Sequence, residues 1–390
     1  MRSNNSFDSR SSPLPRIATL CVTVLSLMGC GGASASSAST SGGLGGGVPA
    51  QVATPTITSA PAKNGASILT LADATAGATI FYSLNGTVPT GASTQYFAPL
   101  LLASNASVQA IGLSSGMTNS SVVTRKFAPN IAPGTLVWSD EFNNATGASI
   151  SPDPAVWGYD TGGGGWGNHE LETYCAPASS ASPCSLTSPN AYVGTDNSLH
   201  IALRQTAPGV YTSARLKTQG LFSFEYGRLE FRAQVPEAQG LWPAGWLLGN
   251  NIASVNWPAC GEVDIMERVN AATIPDFNQG SVHGPGFTGT AIGSPFHFPA
   301  GQTAATWHTY GMIWTAGAIA FYVDSPSNIY ATFSAASLAG YPGSSWPFDA
   351  GQANFILLNL ALGGDYPGAP IASTPYPSEM VVDYVRLYTN

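Results

Sequence analysis

Three carboxylates lie close together in the segment ACGEVDIMERV, residues 259–269: Glu262, Asp264 and Glu267. Only 9% of the chain is Asp, Glu, Lys or Arg, so an E-x-D-x-x-E pattern would arise by chance in fewer than about one in a hundred chains of this composition. A glycosidase of the retaining type needs one carboxylate as nucleophile and one protonated carboxyl as acid. A third carboxylate between them can hydrogen-bond the nucleophile and help to keep a neighbour protonated. The pattern therefore predicts a site for glycosidic-bond cleavage.

The same segment has the residue types of a β-strand, in which alternate side chains share a face. Glu262 and Asp264 then lie on one face, but strict alternation would place Met266 there instead of Glu267. We predict a β-bulge that returns Glu267 to the acidic face, since bulges are common beside active sites. A merely solvated face is disfavoured because like charges would be adjacent without a cation opposite. A calcium site would take its oxygen ligands from a loop, so catalysis is the favoured interpretation.

Short strand-like runs between Gly- and Pro-rich turns fill residues 131–390. The chain has 44 Gly and 29 Pro in 390 residues and no long stripe of 3.6-residue period, which predicts an all-β protein. Many short strands over this length favour one large two-sheet antiparallel jelly-roll sandwich. We expect the acidic strand to belong to one of its sheets.

Two shorter segments precede this region. Residues 51–128 hold short β-branched runs around the hairpin signal Asn85-Gly86, which predicts a small β module. Residues 31–50 are mainly Gly, Ser and Ala and predict a flexible linker. A second linker, PNIAPG at 129–134, favours a module and a main domain that fold independently.

The amino terminus has the pattern of a targeting segment. Three arginines precede an apolar stretch, residues 17–28, that is too short to span a bilayer, so residues 1–30 are predicted to be a signal peptide. The stretch ends in LMGC, which resembles a bacterial lipoprotein cleavage box with Cys30 as the lipidated residue. An ordinary secretory signal cleaved near residues 33–35 is the alternative. We expect an exported protein, either lipid-anchored in the bacterial outer membrane or secreted.

Cysteine usage and charge exclude several classes of partner. Cys175 and Cys184 are close enough in sequence to close a loop in an oxidising compartment, and no CxxC motif or His cluster indicates a metal site. The net charge is −8, and residues 135–390 hold 7 Lys and Arg against 19 Asp and Glu. Such a domain disfavours nucleic acid, anionic lipid and sulfated polymers, so membrane contact is expected only through a lipid anchor.

The segment GEVDIMERV resembles the bulged signature of glycoside hydrolase family 16. The resemblance extends over residues 135–390 through the motifs WSDEFN, GGWGNHELETY, YTSARLKTQGLFSFEYGRLEFRAQVP, GLWPAGWLLG, VHGPGF and VDYVRLY. It implies a curved jelly roll with an open cleft, Glu262 as nucleophile, Glu267 as acid/base and Asp264 as the assisting carboxylate. The motifs are most similar to those of laminarinases, which are endo-β-1,3-glucanases. Residues 51–128 resemble the immunoglobulin-like chitobiase carboxy-terminal module.

The resemblance also implies binding residues, each with a structural alternative. The predicted substrate-binding residues are Asn168, Arg215, Trp242, Trp246, Trp257 and His283. Buried sandwich tryptophans and a core histidine are the alternatives for the aromatic members of this set. The family further implies a structural calcium ion held near Glu141, Asn197 and Asp383, although the two acids could equally accept hydrogen bonds. No cofactor is expected for catalysis.

A neutral β-1,3-glucan is the expected substrate of a monomeric enzyme. Agarose and mixed-linkage glucan are alternatives within the same family, and a transglycosylase would use the same covalent intermediate. From another functional class, a non-catalytic β-glucan-binding protein would retain the scaffold but would lack one or both catalytic glutamates. Both glutamates are present here.

Overall fold

The computed structural model describes residues 49–269, 277–288, 292–349 and 351–390. The predicted signal peptide, with Cys30, and nearly all of the predicted linker at 31–50 lie outside these residues. Within the described ranges, no helix is both long enough and apolar enough to cross a bilayer.

The amino-terminal module consists of two small antiparallel sheets. Its strands are β1 (Thr56–Pro61), β2 (Ser67–Ala72), β3 (Thr79–Ser83), β4 (Thr94–Gln95), β5 (Leu100–Leu102), β6 (Ala106–Leu113) and β7 (Val123–Phe127). One sheet has the order β1-β2-β5 and the other β4-β3-β6-β7. A 3-10 turn at Lys63–Gly65 joins β1 to β2. The module is thus the small β-sandwich that the sequence predicts.

The main domain is a two-sheet sandwich, so the all-β jelly-roll prediction is confirmed. Its strands are β8 (Leu136–Asp140), β9 (Gly158–Asp160), β10 (Glu172–Tyr174), β11 (Ala191–Val193), β12 (Leu199–Ala207), β13 (Val210–Ser213), β14 (Arg215–Lys217), β15 (Gly227–Gln234), β16 (Leu241–Gly249), β17 (Glu262–Glu267), β18 (Phe277–His283), β19 (Gly293–His297), β20 (His308–Thr315), β21 (Ala318–Val323), β22 (Ile329–Ser334), β23 (Asn354–Leu362) and β24 (Ser378–Tyr388). Two short helical segments interrupt the described strands: α1 (Ile252–Val255) and a 3-10 helix at Ala335–Gly340.

The two sheets of the main domain have different roles. The seven-stranded sheet has the order β19-β18-β17-β16-β23-β14-β9, with antiparallel pairing throughout. The ten-stranded sheet has the order β10-β13-β12-β24-β15-β20-β21-β22, with β11 beside β12 and β8 beside β24. Apolar side chains of alternating strand positions fill the space between them, including the fully buried Trp157, Phe231 and Trp314. This packing leaves the other face of the seven-stranded sheet for polar groups.

The sheets approach each other closely at Gly245 on β16. A Cβ atom at this position would lie only 2.2 Å from the ring of Phe231 on β15, far inside van der Waals contact. Gly245 pairs with Met266 of β17 on one side and with Leu358 of β23 on the other. A close inter-sheet contact therefore lies directly beside the strand of the three acids.

The module packs against the main domain, which the independent-folding prediction did not anticipate. Ala353, just before β23, belongs to the apolar core of the module. The backbone N–H of Leu101 on β5 donates to the carbonyl of Ser223 (3.0 Å), and the Ser223 hydroxyl donates to the carbonyl of Pro99 (2.8 Å). Ile131, in the predicted linker, packs against the core of the main domain. The linker is therefore part of a continuous interface.

Candidate active site

The three acids, Glu262, Asp264 and Glu267, are called here the catalytic acids, and β17 carries all of them. Asp264 pairs with Trp246 on β16 and Ser281 on β18, whereas Glu267 pairs with Ala244 and Gln279. From Asp264 to Glu267 the strand therefore uses one residue more than either neighbour, which is the predicted bulge. Ile265 and Met266 both turn into the core at this point. The bulge places the catalytic acids on the same face of the sheet.

This face forms the floor of a cleft of about 360 Å³. The catalytic acids line it together with five of the predicted binding residues, Asn168, Arg215, Trp242, Trp246 and Trp257. The lining also includes residues that the sequence analysis did not select, among them Trp166, Glu170 and Asn359. The sixth predicted residue, His283, is not part of the lining.

Two tryptophans donate hydrogen bonds to the two glutamates. The Nε1 of Trp257 donates to Oε2 of Glu262 (2.8 Å), and the Nε1 of Trp242 donates to Oε1 of Glu267 (3.0 Å). Trp257 is 49% exposed, so its ring also presents apolar surface to the cleft. Each glutamate thus has one fixed donor, which orients its carboxyl group.

His283 contacts the catalytic acids but does not line the cleft. Its Nε2 lies 2.9 Å from Oδ2 of Asp264 and 3.9 Å from Oε1 of Glu262. The Ser281 hydroxyl donates to the same Asp264 oxygen (2.8 Å). Strand register places the His283 ring beside Asp264 and Glu262, so a role of His283 in sugar binding stays a prediction.

Burial and mutual repulsion set the protonation of this group. Burial, followed by the charge of Asp264, raises the pKa of both Glu262 and Glu267 above the ordinary value. Burial lowers the pKa of His283, but the hydrogen bond to Asp264 and the nearby negative charges outweigh it and raise the pKa to about 9. His283 is therefore a cation at neutral pH, and at least one proton is retained by the glutamates.

Arg215 forms one wall of the cleft. Its guanidinium lies over the rings of Trp246 (4.6 Å) and Trp166 (5.3 Å), and its Nε pairs with Oδ2 of Asp160 (3.1 Å). These contacts hold the planar group at the surface where Asn168 also lies. An arginine and an amide beside half-buried indole rings that line the cleft are suited to hydroxyl-rich, uncharged ligands.

Comparisons with known proteins give the same result. The profile of "Glycosyl hydrolases family 16" matches residues 179–350, and that of "Chitobiase/beta-hexosaminidase C-terminal domain" matches residues 58–124. A beta-glucanase of Rhodothermus marinus is 38% identical over 262 residues, which cover 65% of this chain and 84% of that protein. The chain belongs to glycosyl hydrolase family 16.

Two other similarities show how far this family relationship extends. The laminarinase catalytic domain from Thermotoga maritima MSB8 is 37% identical, with a TM-score of 0.56, and the match covers 66% of this chain and 99% of that one. Glucan endo-1,3-beta-glucosidase A1 of Niallia circulans is 33% identical over 285 residues, covering 67% of this chain and 38% of that protein. The family 16 fold thus accounts for about two thirds of the chain.

A polar network behind the family 16 cleft was missed by the sequence analysis. The Nε1 of Trp246 donates to Oδ1 of Asn359 (2.8 Å), whose Nδ2 donates to the hydroxyl of Tyr174 (3.2 Å). Tyr174 donates to Oε2 of Glu170 (2.9 Å), and Asn168 Nδ2 donates to Oε1 of the same carboxyl (3.1 Å). The motif HELETY gave no signal for it, since alternation of Glu170, Leu171 and Glu172 predicts a buried leucine, whereas the structure exposes the leucine and buries both acids.

The residues proposed to bind calcium have other partners. Glu141 accepts two hydrogen bonds from Arg386 (3.1 and 2.7 Å), and Asp383 pairs with Arg232 (2.7 Å). Asn197 accepts a hydrogen bond from a backbone N–H (2.7 Å). Arginines thus partner both acids, whereas Asn197 is predicted to offer its backbone carbonyl and not its side chain. A calcium site of this family 16 domain stays a prediction.

The cysteines of the described residues fall into two kinds. Cys175 and Cys184 form a disulfide, as the pairing from sequence proposed. Cys260, just before β17, is buried without a disulfide partner. Burial raises the pKa of its thiol to about 11, so at neutral pH it is a small apolar group of the core.

Proposed function

We propose that the protein is a retaining endo-glycosidase that hydrolyses β-1,3-glucosidic bonds of laminarin-type glucans by double displacement. The observation that carries this proposal is the bulged strand β17, which puts Glu262, Asp264 and Glu267 on one face of an open cleft. The names of the similar proteins, a beta-glucanase, a laminarinase and an endo-1,3-beta-glucosidase, support the substrate class.

The first step forms a glycosyl-enzyme ester. The ionised carboxylate of Glu262 attacks the anomeric carbon while Glu267 donates its proton to the departing glycosidic oxygen. The raised pKa of Glu267 keeps that proton available at neutral pH. Burial and the charge of Asp264 also raise the pKa of Glu262, to about 8. The His283 cation and the Trp257 hydrogen bond oppose this rise and so favour the ionised form that attacks.

The second step releases the sugar with its configuration retained. Glu267, now a carboxylate, takes a proton from water, and the resulting oxygen attacks the anomeric carbon and expels Glu262. Asp264 accepts hydrogen bonds from Ser281 and His283, so its charge is fixed beside both glutamates. Its role is to tune their protonation, since it forms no bond to the sugar.

A neutral glucan fits the charge and surface of the domain. The excess of acidic residues in 135–390 repels sulfated polymers, and the tryptophans of the cleft offer flat surfaces for the CH faces of glucose. An open cleft admits the interior of a chain, which favours endo action.

The test is incubation with laminarin, curdlan, lichenan, agarose and carrageenan, with viscosity and reducing sugar followed over time. We expect laminarin viscosity to fall ahead of reducing-sugar release, with slower action on mixed-linkage lichenan. Glu262→Ala is the matched inactive control. Activity confined to agarose or carrageenan would contradict the proposal, as would binding of laminarin with no product. Products longer than the substrate would identify a transglycosylase.

We further propose that the protein is a monomer that is exported and anchored by lipid on Cys30. The LMGC sequence after a short apolar stretch supports this proposal. The protein should partition into detergent, and Cys30→Ala should move it to the soluble fraction. The same partitioning for both proteins would favour the ordinary secretory signal.

The module at 51–128 is proposed to support the main domain at 131–390. The shared apolar contact at Ala353 and the hydrogen bonds at Ser223 are the observations behind this role. We expect residues 131–390 alone to remain folded but to unfold at a lower temperature than the full chain, because removing the module exposes apolar surface to water. Identical melting temperatures would refute it.

A further inference from the structure

Glu170 and Glu172, called here the buried pair, form a second group of acids beside the cleft. Glu172 is 1% exposed and Glu170 9% exposed, whereas the leucine between them is 47% exposed. Both oxygens of Glu170 accept hydrogen bonds, from Asn168 and from Tyr174. Glu172 accepts one bond at Oε2, from the backbone N–H of Leu362 (2.8 Å).

The other oxygen of Glu172 has no hydrogen-bond donor. Oε1 is buried without a partner. Because Glu170 and Glu172 are both buried while the leucine between them is exposed, the two carboxyl groups lie on the same side of the chain, next to each other. Two ionised carboxylates in such contact would repel each other away from water. A proton on Oε1 removes this conflict, because the group then donates to Glu170.

The surroundings supply no counter-charge that would favour two ionised groups. The strands that contact β10, which are β13 and β23, carry no charged residue. The titratable and charged groups nearest the pair include Tyr174, Arg215 and Tyr211, which is the register partner of Glu172 on β13. Arg215 is already paired with Asp160. Burial and the contact with Glu170 hold the pKa of Glu172 well above its usual range.

We propose that Glu172 is a protonated positioning residue that donates a hydrogen bond to the Glu170 carboxylate, and that this bond holds the sugar-binding side chains of the cleft in place. Glu170 fixes the amide of Asn168 directly. Through Tyr174 and Asn359 it also fixes the indole of Trp246. Loss of the proton makes the pair repel, and this disorders the binding surface without touching the catalytic acids.

This inference rests on the proposed function, and substrate affinity is its readout. In a Glu262→Ala background, which binds without turnover, the affinity for a laminari-oligosaccharide is measured by calorimetry from acidic to alkaline pH. We expect binding to weaken about tenfold as Glu172 loses its proton, since a hydrogen bond to a charged group is lost. The amide of Glu172→Gln donates to Glu170 at every pH, so binding by that variant should not weaken with it.

Two controls separate positioning from a general structural role. Glu172→Leu keeps the apolar volume but has no donor, so its affinity should be low at every pH while circular dichroism shows a native fold. In the active enzyme, Glu172→Gln should change the pH dependence of KM and leave that of kcat unchanged. If affinity depends on pH in the same way in the Glu262→Ala parent and in the parent that also carries Glu172→Gln, the proposal is overturned.

The proton itself has a readout that needs no substrate. The infrared spectrum at neutral pH should contain a carboxylic acid C=O band that disappears in Glu172→Gln, and absence of this difference would also overturn the proposal. If the Glu262→Ala parent binds no β-1,3-glucan oligosaccharide at any pH, the proposed function fails instead. The infrared difference then decides the protonation of Glu172 alone.

Discussion

The catalytic acids and the buried pair are two groups of close carboxyls in one protein, and their surroundings differ. The catalytic acids face a cleft, receive two indole N–H donors and have the His283 cation beside them. The buried pair is almost fully removed from solvent, with only Glu170 reaching the edge of the cleft, and it lies among uncharged strands. Beside the catalytic acids, the His283 cation offsets part of the rise that burial causes in the pKa of both glutamates. In the buried pair no such cation is available among the described residues, and Glu172, which only positions other groups, is proposed to be protonated and neutral.

The largest effects on activity are expected from substitution of the two glutamates of β17, and the two substitutions should affect different steps of the reaction. Glu262→Ala removes the nucleophile, so activity on every substrate should be lost. Glu267→Ala should lower kcat on glucan by roughly 10²–10⁴-fold, but a glucoside with an activated aryl leaving group needs no proton and should still react. Azide should then replace the missing activated water and give a β-glycosyl azide, identified by NMR.

A β-glycosyl azide from Glu262→Ala instead of Glu267→Ala would contradict the assignment of Glu262 as nucleophile and Glu267 as acid/base. A β-azide from Glu262→Ala would mean that the nucleophile is another residue, whereas an α-azide from that variant would only show that azide fills the space left by its side chain. Asp264→Asn is the intermediate case, with weakened but measurable turnover, since this residue tunes protonation and forms no bond to the sugar.

Loss of a hydrogen bond in the polar network that includes Trp246, Asn359 and Tyr174 should change KM more than kcat. Asn359→Leu removes both its bond from Trp246 and its bond to Tyr174, and we expect KM to rise about tenfold and the free energy of unfolding to fall by about 1–3 kcal/mol. Steady-state kinetics and urea unfolding measure the two quantities. Tyr174→Phe, which keeps the ring and the bond between Asn359 and Trp246 and loses only the hydroxyl, is the matched control and should show a smaller rise in KM. An unchanged KM for Asn359→Leu would disconnect the network from substrate binding.

Removal of the cation should shift the pH profile of the catalytic acids. The charge of His283 lowers the pKa of both Glu262 and Glu267, so His283→Asn should raise both. The nucleophile then protonates at higher pH and the acid loses its proton at higher pH, so both limbs of the kcat/KM profile move upward, by on the order of one unit. His297→Asn, on an exposed histidine of β19, should leave the profile unchanged. A downward movement of either limb would contradict the role of His283.

The smallest effect is expected from metal removal. Glu141 and Asp383 differ from both groups of carboxyls, because each forms a direct ion pair with an arginine. A chelator should therefore shift the melting temperature by less than about 1 °C. A loss of several degrees that calcium restores would show that a stabilising ion is bound.

The sequence predicted the local features of the site and missed the long-range ones. Alternation in one segment was enough for the acidic face and its bulge, and motifs brought Trp242, Trp246 and Arg215 to the same cleft. The partner of His283 depends on the register between β17 and β18. The link from Trp246 to Glu170 passes through Asn359 on β23 and Tyr174 on β10, strands far apart in the chain. Periodicity holds no information about such contacts between strands.

The module interface has a similar origin. The segment PNIAPG has the composition of a spacer, yet Ile131 packs into the main core and Ala353 into the core of the module. Composition indicates whether a segment is able to bend, but burial of a single apolar residue in it depends on the surface it meets.

Gly245 has a consequence for how this enzyme can change over evolution. The Phe231 ring occupies the space where any side chain at 245 would lie, and the backbone of 245 runs alongside the extra residue of β17. A methyl group added there must push the ring or the whole β16 backbone aside, and the displacement would pass directly to the spacing of Glu262 and Glu267. The catalytic geometry is therefore intolerant of mutation at a position that never meets the sugar, and a search for variants with new substrates should leave this glycine and its aromatic neighbour unchanged.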